Sequence, residues 1–164
     1  MIQNTFYWEW AIVMVIEKWV NGNHLITTNK DDLDVDLIFH FLTKESYWSK
    51  GISIEDVKKS IDHSTFCFGM YETTDDNEKK QIGFARVISD LVTHAYIQDV
   101  FIIEGYRKLG LGKWLLDTIT AFNELKIRRI MLSTDDAHSF YSKFGFEQLD
   151  KPDFFMQIKG KGAI

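Results

Sequence analysis

The chain has 164 residues, 45% of them apolar and 26% charged, with a formal net charge of −5 and a single cysteine. That length and balance fit one soluble globular domain with room for a real core. They exclude an internal disulfide and argue against a nucleic-acid surface. The longest apolar run, Trp10 to Ile16, falls far short of the roughly 18 residues that a membrane span needs.

Residues 1–23 read either as an N-terminal extension or as the first strand of a hairpin. In the second reading Ile12 to Val20 is a strand, Asn21-Gly22 turns, and His24 to Thr28 returns. In the first the segment is a loosely attached leader, with Met14 as a second start. No Lys or Arg precedes Lys18, so a secretory n-region is not expected and the cytoplasm is the default compartment. The main domain is placed at residues 24–164.

Leu33, Val35, Leu37, Ile38, Phe41 and Leu42 recur at near-helical spacing and predict a helix over about 32–44. After a loop holding Tyr47 and Trp48, Ser53 and Asp56 read as a capping pair for a second helix at about 54–63. Strands follow at about 65–71, 80–90 and 93–103, an antiparallel meander with a polar turn from Thr73 to Glu78. Cys67 alternates with Phe66 and Phe68 and reads as a small buried hydrophobe. Aromatics make up 15% of the chain, which suits a tightly filled core or an aromatic-lined cleft.

A basic turn comes next, Arg107-Lys108-Leu109-Gly110-Leu111-Gly112-Lys113, leading into a helix at about 110–125. Leu111, Leu115, Ile119, Phe122 and Leu125 mark its buried stripe. Glycines allow positive φ and close backbone approach, and a helix start offers unpaired N–H groups and a dipole that favours an anion. The turn therefore reads as a pyrophosphate cradle or as an ordinary basic turn with two convenient glycines. It is not a P-loop, because one residue separates the glycines and Trp114 follows Lys113. It is not a dinucleotide fingerprint either, since Leu115 stands where a third glycine belongs. A strand at about 128–133, a helix at 136–143, and end strands near 145–149 and 153–158 complete the chain, with Pro152 between the last two.

Residues 133–146 read Ser-Thr-Asp-Asp-Ala-His-Ser-Phe-Tyr-Ser-Lys-Phe-Gly-Phe. Together with the Arg-x-x-Gly-x-Gly turn upstream, this resembles the GNAT superfamily of acyl-CoA-dependent N-acetyltransferases. Ala137, Phe140, Tyr141, Lys143, Gly145 and Phe146 match the family pattern position by position. The resemblance implies an α+β (mixed α/β) fold: a mixed, mostly antiparallel sheet of about six to seven strands, flanked by about four helices and splayed between the fourth and fifth core strands. It implies acetyl-CoA as co-substrate, lying between the strands near 93–103 and 128–133.

The resemblance assigns the pantetheine arm to the backbone at Phe101, Ile102 and Ile103. It assigns the pyrophosphate to Arg107, Lys108, Leu109, Gly110, Leu111, Gly112 and Lys113. Tyr141 becomes the general acid that protonates the departing thiolate; the alternative is a packing residue on a short helix. Thr134 stands where the family often has Asn against the pantetheine. His138 is either a base or a solvent-facing or coenzyme-contacting residue. Some relatives carry a glutamate base on the strand before the cradle. Here Tyr96, Gln98, Val100 and Ile102 share a face without a carboxylate, and period two puts Asp99 on the other face, anchoring backbone. A water relay, or deprotonation before binding, then serves as base. Substrate candidates are Tyr47, Trp48, Arg86, Asp90 and Tyr96, an aromatic wall with an acid that suits an amine. Tyr47 and Trp48 read equally as a loop plug over the core, and Arg86 alternatively recognises a substrate carboxylate or merely pairs with a nearby acid.

The leading expectation is direct acetyl transfer to a small-molecule primary amine in a ternary complex. A protein N-acetyltransferase and a catalytically silent acyl-CoA sensor are the alternatives. No metal, membrane or nucleic-acid partner is expected, and a homodimer is the assembly that the family suggests.

Overall fold

The computed structural model of the protein describes residues 16–74, 76 and 78–159. The start of the expected first strand, Met14, and part of the Thr73–Glu78 turn lie outside these residues. Six strands form one sheet in chain order: β1 Lys18–Asn21, β2 His24–Thr27, β3 Phe66–Thr73, β4 Lys79–Ser89, β5 His94–Ile102 and β6 Arg129–Met131. Every neighbouring pair is antiparallel except β5 and β6. The β1–β2 turn works because Gly22 takes a φ of 59°, which glycine adopts without strain.

Helices cover both faces. On one side lie α1, Val35–His40, and α2, Ile54–His63, over Cys67, Phe84 and Phe101. On the other lies α3, Leu111–Ala121, over Phe66, Phe68 and Ile97. The short α4, His138–Tyr141, follows β6. All five residues of the expected α3 stripe are buried, although α3 ends at Ala121. Phe122 is extended, and a 3-10 turn at Asn123–Leu125 swings Leu125 back into the core. Burial also raises the Cys67 thiol to about 12, which keeps it protonated and inert.

Two sequence expectations are corrected. The helix expected over 32–44 is divided. Asn29 caps a 3-10 turn at Lys30–Asp32, Leu33 is extended, and Asp34 caps α1 by accepting the Leu37 N–H at 2.9 Å. After His40 the helix widens into a π turn, Phe41–Glu45. Neither end strand forms: Pro152 opens a 3-10 turn, and Phe154, Met156 and Ile158 are 76%, 97% and 99% exposed. Apolar alternation makes a strand only where an edge pairs with it and a face buries it.

The α2 cap follows the expected pattern. Ser53 Oγ accepts the Asp56 N–H at 3.1 Å and donates to Asp56 Oδ2 at 2.8 Å. Ser53→Ala should cost about 1 kcal/mol and lower Tm by about 2–4 °C in a thermal melt. An unchanged Tm would show that this cap contributes nothing.

Candidate functional site

β6 is three residues long and pairs with β5 only through His94, Ala95 and Tyr96. Beyond Tyr96 the strands part. The gap is a cleft of about 790 Å³, walled by residues 96–102 on one side and 132–137 on the other. A strand edge without a neighbour leaves backbone N–H and C=O groups open to an extended ligand.

A bulge shapes the β5 wall. Arg86 pairs with Gln98 and Phe84 with Phe101, so two steps along β4 meet three along β5. Asp99 takes up the extra residue with a φ of 54°, in the left-handed region that Asp tolerates better than most residues. Side-chain parity inverts across it: Ala95 and Ile97 face the α3 core, whereas Phe101 faces α1 and α2. The strict alternation that separated Asp99 from Tyr96 and Gln98 is therefore corrected. The Asp99 carboxylate lies with them, accepting from Trp48 Nε1 at 3.1 Å and from Arg86 Nε at 2.5 Å. Arg86 also donates to Gln98 Oε1.

The loop between α1 and α2 reaches across the cleft. The Tyr47 hydroxyl accepts the Asp135 N–H at 2.9 Å, and the Tyr47 and Trp48 rings meet edge to face at 5.0 Å. On the far wall stands Tyr141, flanked by Phe140 and Phe146. Burial first, then the neighbouring Tyr47 and Asp136, push its phenol up to about 12.

At the mouth, α3 begins at Gly110, which has a φ of 80° and no side-chain cap. The first N–H groups of a helix have no internal acceptor, so this end suits an anion. A Cβ on Gly112 would sit 3.6 Å from Phe140 Cζ and 3.8 Å from Ile102 Cγ1, inside the gap between the walls. Arg107 lines the same end. Its Nε donates to the Ile102 carbonyl at 2.9 Å, and its Nη2 lies 3.7 Å from Glu45 Oε2.

Residues 66–148 match the family model of the acetyltransferase (GNAT) domain, half of the chain. The chain belongs to the GNAT acetyltransferases. A solved candidate acetyltransferase of the GNAT family from Xanthomonas campestris is 37% identical, with a TM-score of 0.77, and the match covers 85% of this chain and 94% of that one. A candidate acetyltransferase of Gibberella zeae is 29% identical over 90% of this chain and 95% of its own length. A Clostridium acetobutylicum protein described with acetyl-CoA shares the fold at a TM-score of 0.58 and 16% identity, over 84% of this chain and 95% of that one. The protein is thus an acyltransferase of a family that uses acetyl-CoA. Its sheet matches the expected splay, since β5 and β6 are the fourth and fifth strands counted from β2.

Within this GNAT frame, Tyr47, Trp48, Arg86, Tyr96, Phe101, Ile102, Arg107, Gly112, Thr134 and Tyr141 all line the cleft. Lys108, Leu109, Gly110, Leu111 and Lys113 do not. Leu111 is buried in the α3 core, and Lys113 pairs with Asp117 at 2.5 Å. Any contact that Leu109, Gly110 and Leu111 make with an anion falls to the backbone. Ile103 also lies off the cleft, with its N–H donated to the Ile82 carbonyl at 2.9 Å. The Phe101 side chain stacks on Phe41 at 3.9 Å. Thr134 Oγ1 accepts the Ala137 N–H at 3.1 Å and braces the start of α4. His138 is not part of the lining.

Asp90 is corrected as a substrate candidate. Its carboxylate accepts from the N–H groups of Val92, Thr93 and His94 and from the Thr93 hydroxyl, and these bonds hold it well below the usual carboxylate range. It closes the β4–β5 turn and does not reach the cleft. Sequence reasoning missed Glu45, Gln98, Asp135, Asp136 and Phe140 as lining residues. A carboxylate in the apolar β5, opposite an arginine in the apolar β4, was the available signal for the Arg86–Asp99 pair.

Proposed function

We propose that this GNAT protein transfers an acetyl group from acetyl-CoA to a small primary amine by direct attack in the cleft between β5 and β6. The observation that carries this reading is convergence. The open edge of β5, the uncapped start of α3 and the Tyr141 phenol all meet one continuous space. The residues present fit the coenzyme: Gly110 and Gly112 let a diphosphate approach the α3 amides, Arg107 adds charge, and β5 offers an edge for an extended arm. Acetyl-CoA supplies the thioester. The backbone around Phe101 and Ile102 orients it, and an edge N–H there polarises its carbonyl.

Tyr141 donates a hydrogen bond, and then a proton, to the sulfur as the thiolate departs. Asp99 is committed to Arg86 and Trp48, which leaves the amine to lose its proton to water or before binding. The Tyr47–Asp135 bridge narrows access to the cleft and favours a small amine over a folded protein surface. The acetyltransferase domain occupies residues 24–164 in this reading, with β1 paired to its edge as the first strand of a hairpin.

Mass spectrometry of an amine panel incubated with protein and acetyl-CoA tests it, alongside calorimetry with coenzyme A. Acetylated product and micromolar-range binding are expected. Absence of coenzyme binding would remove the reading, and binding without turnover of any amine would leave only a sensor.

A further inference from the structure

The cleft is lined by two guanidinium groups, and each faces a carboxylate. Arg107 lies 3.7 Å from Glu45, and Arg86 lies 2.5 Å from Asp99. Arg86 stands in the half of the cleft away from α3, beside Trp48, Tyr96 and Gln98. An unengaged arginine there would clamp an acceptor that carries a carboxylate, such as an amino acid. This one already donates from each of its nitrogens, with three of five N–H groups: Nε to Asp99, Nη2 to Gln98, and Nη1 to Ser64 Oγ at 3.5 Å. The pair is well sheltered, with side chains 12% and 6% exposed. Its mutual neutralisation is therefore little screened by water.

The remaining charges in the lining are Asp135 and Asp136, and no ion pair among the described residues engages either one. Arg107 belongs to the α3 end, so with Arg86 neutralised by Asp99 the acceptor half carries a negative field beside an aromatic wall. Asp99 holds its place at a positive φ. Such a conformation persists only where the surroundings fix it, and here both carboxylate oxygens are engaged.

We infer that Asp99 is the specificity-determining residue of the acceptor site. By occupying Arg86 it denies that guanidinium to substrate carboxylates, so the cleft selects cationic amines that lack one. This rests on the acceptor binding in the cleft, as proposed above.

Asp99→Asn keeps the shape and an oxygen for Trp48 but leaves the Arg86 charge uncompensated. Cadaverine and lysine are the probes, because they differ by one carboxylate. In the wild-type protein kcat/KM should favour cadaverine by about ten-fold or more, and in Asp99→Asn the ratio should move at least about ten-fold toward lysine, with the KM for acetyl-CoA held within about three-fold. Thermal shifts of the coenzyme-loaded proteins should follow the same order, which reads acceptor binding without turnover. A double variant, Arg86→Leu with Asp99→Asn, removes both charges, keeps at 99 a side chain that tolerates the positive φ and can accept from Trp48, and should keep the wild-type preference. Lysine preferred by the wild type, an unmoved ratio in Asp99→Asn, lysine accepted by the double variant, or no shift with either probe would each overturn the inference. Ordered thermal shifts without any acetylated product would sink the proposed activity alone.

Discussion

Replacing Tyr141 by Phe should lower kcat by about ten-fold or more while leaving the affinity for acetyl-CoA within a factor of about two. The substitution removes one oxygen and keeps the ring that packs between Phe140 and Phe146. A loss confined to kcat therefore isolates the hydroxyl. The phenol sits at about 12, raised by burial and by its neighbours Tyr47 and Asp136. Because the value is raised, the hydroxyl is protonated throughout the range in which amines and acetyl-CoA are handled. Its ionisation then puts no limb on the kcat profile up to about pH 10. Because it is raised above that of a free thiol, near about 8.5, complete transfer to sulfur is uphill.

Tyr141 therefore works best as a relay. It donates as negative charge grows on sulfur and is reprotonated by the amine nitrogen, which must lose a proton when the amide forms. One proton leaves nitrogen and one arrives at sulfur, so the count closes without a free hydroxide. An undiminished kcat in Tyr141→Phe, or an alkaline limb near neutral pH that vanishes in the variant, would contradict this role. The linkage to stability has the same direction. A phenol with a raised folded value lowers stability as pH climbs above its unfolded value near about 10, and not below it.

Much of the scaffold was legible because its signals are local. The meander strands fall within about two residues of their expected bounds, since turn residues and apolar alternation mark both ends. The α2 cap was readable from two side chains three residues apart, and the α3 stripe from a period that survives the break after Ala121. The parts that escaped depend on partners far along the chain. One inserted residue at Asp99 reverses side-chain direction for the rest of β5, and nothing in the residues 94–102 marks where it falls. Arg86, Asp99 and Trp48 come from three elements, and only the fold brings them together. Asp90 qualifies as a substrate candidate on sequence because a turn carboxylate and a binding carboxylate are the same residue type there. The end strands failed for the opposite reason: their alternation is genuine, but they find no edge to pair with.

Gly112→Ala should separate stability from coenzyme binding by moving them in opposite directions. Gly112 lies inside α3 and is absent from the positive-φ glycines, so alanine suits its backbone. A glycine-to-alanine change in a helix is worth about 0.5–1 kcal/mol, and the new methyl meets nothing closer than 3.6 Å in the protein. Tm should therefore hold or rise by a few degrees. The same methyl would project between Ile102 and Phe140, into the space where the start of α3 opens on the cleft. A diphosphate approaching the first-turn amides needs that space, so the Kd for coenzyme A should rise by about ten-fold or more, close to 1.4 kcal/mol. Gly110 offers a poorer test, because its φ of 80° makes any side chain strained and any loss of binding ambiguous. Calorimetry and a thermal melt on Gly112→Ala decide the matter together. Stable protein with weakened binding places the diphosphate on this helix start. Stable protein with unchanged affinity would mean that the coenzyme, if it binds, does so without touching the glycine turn, and the cradle would have to be abandoned.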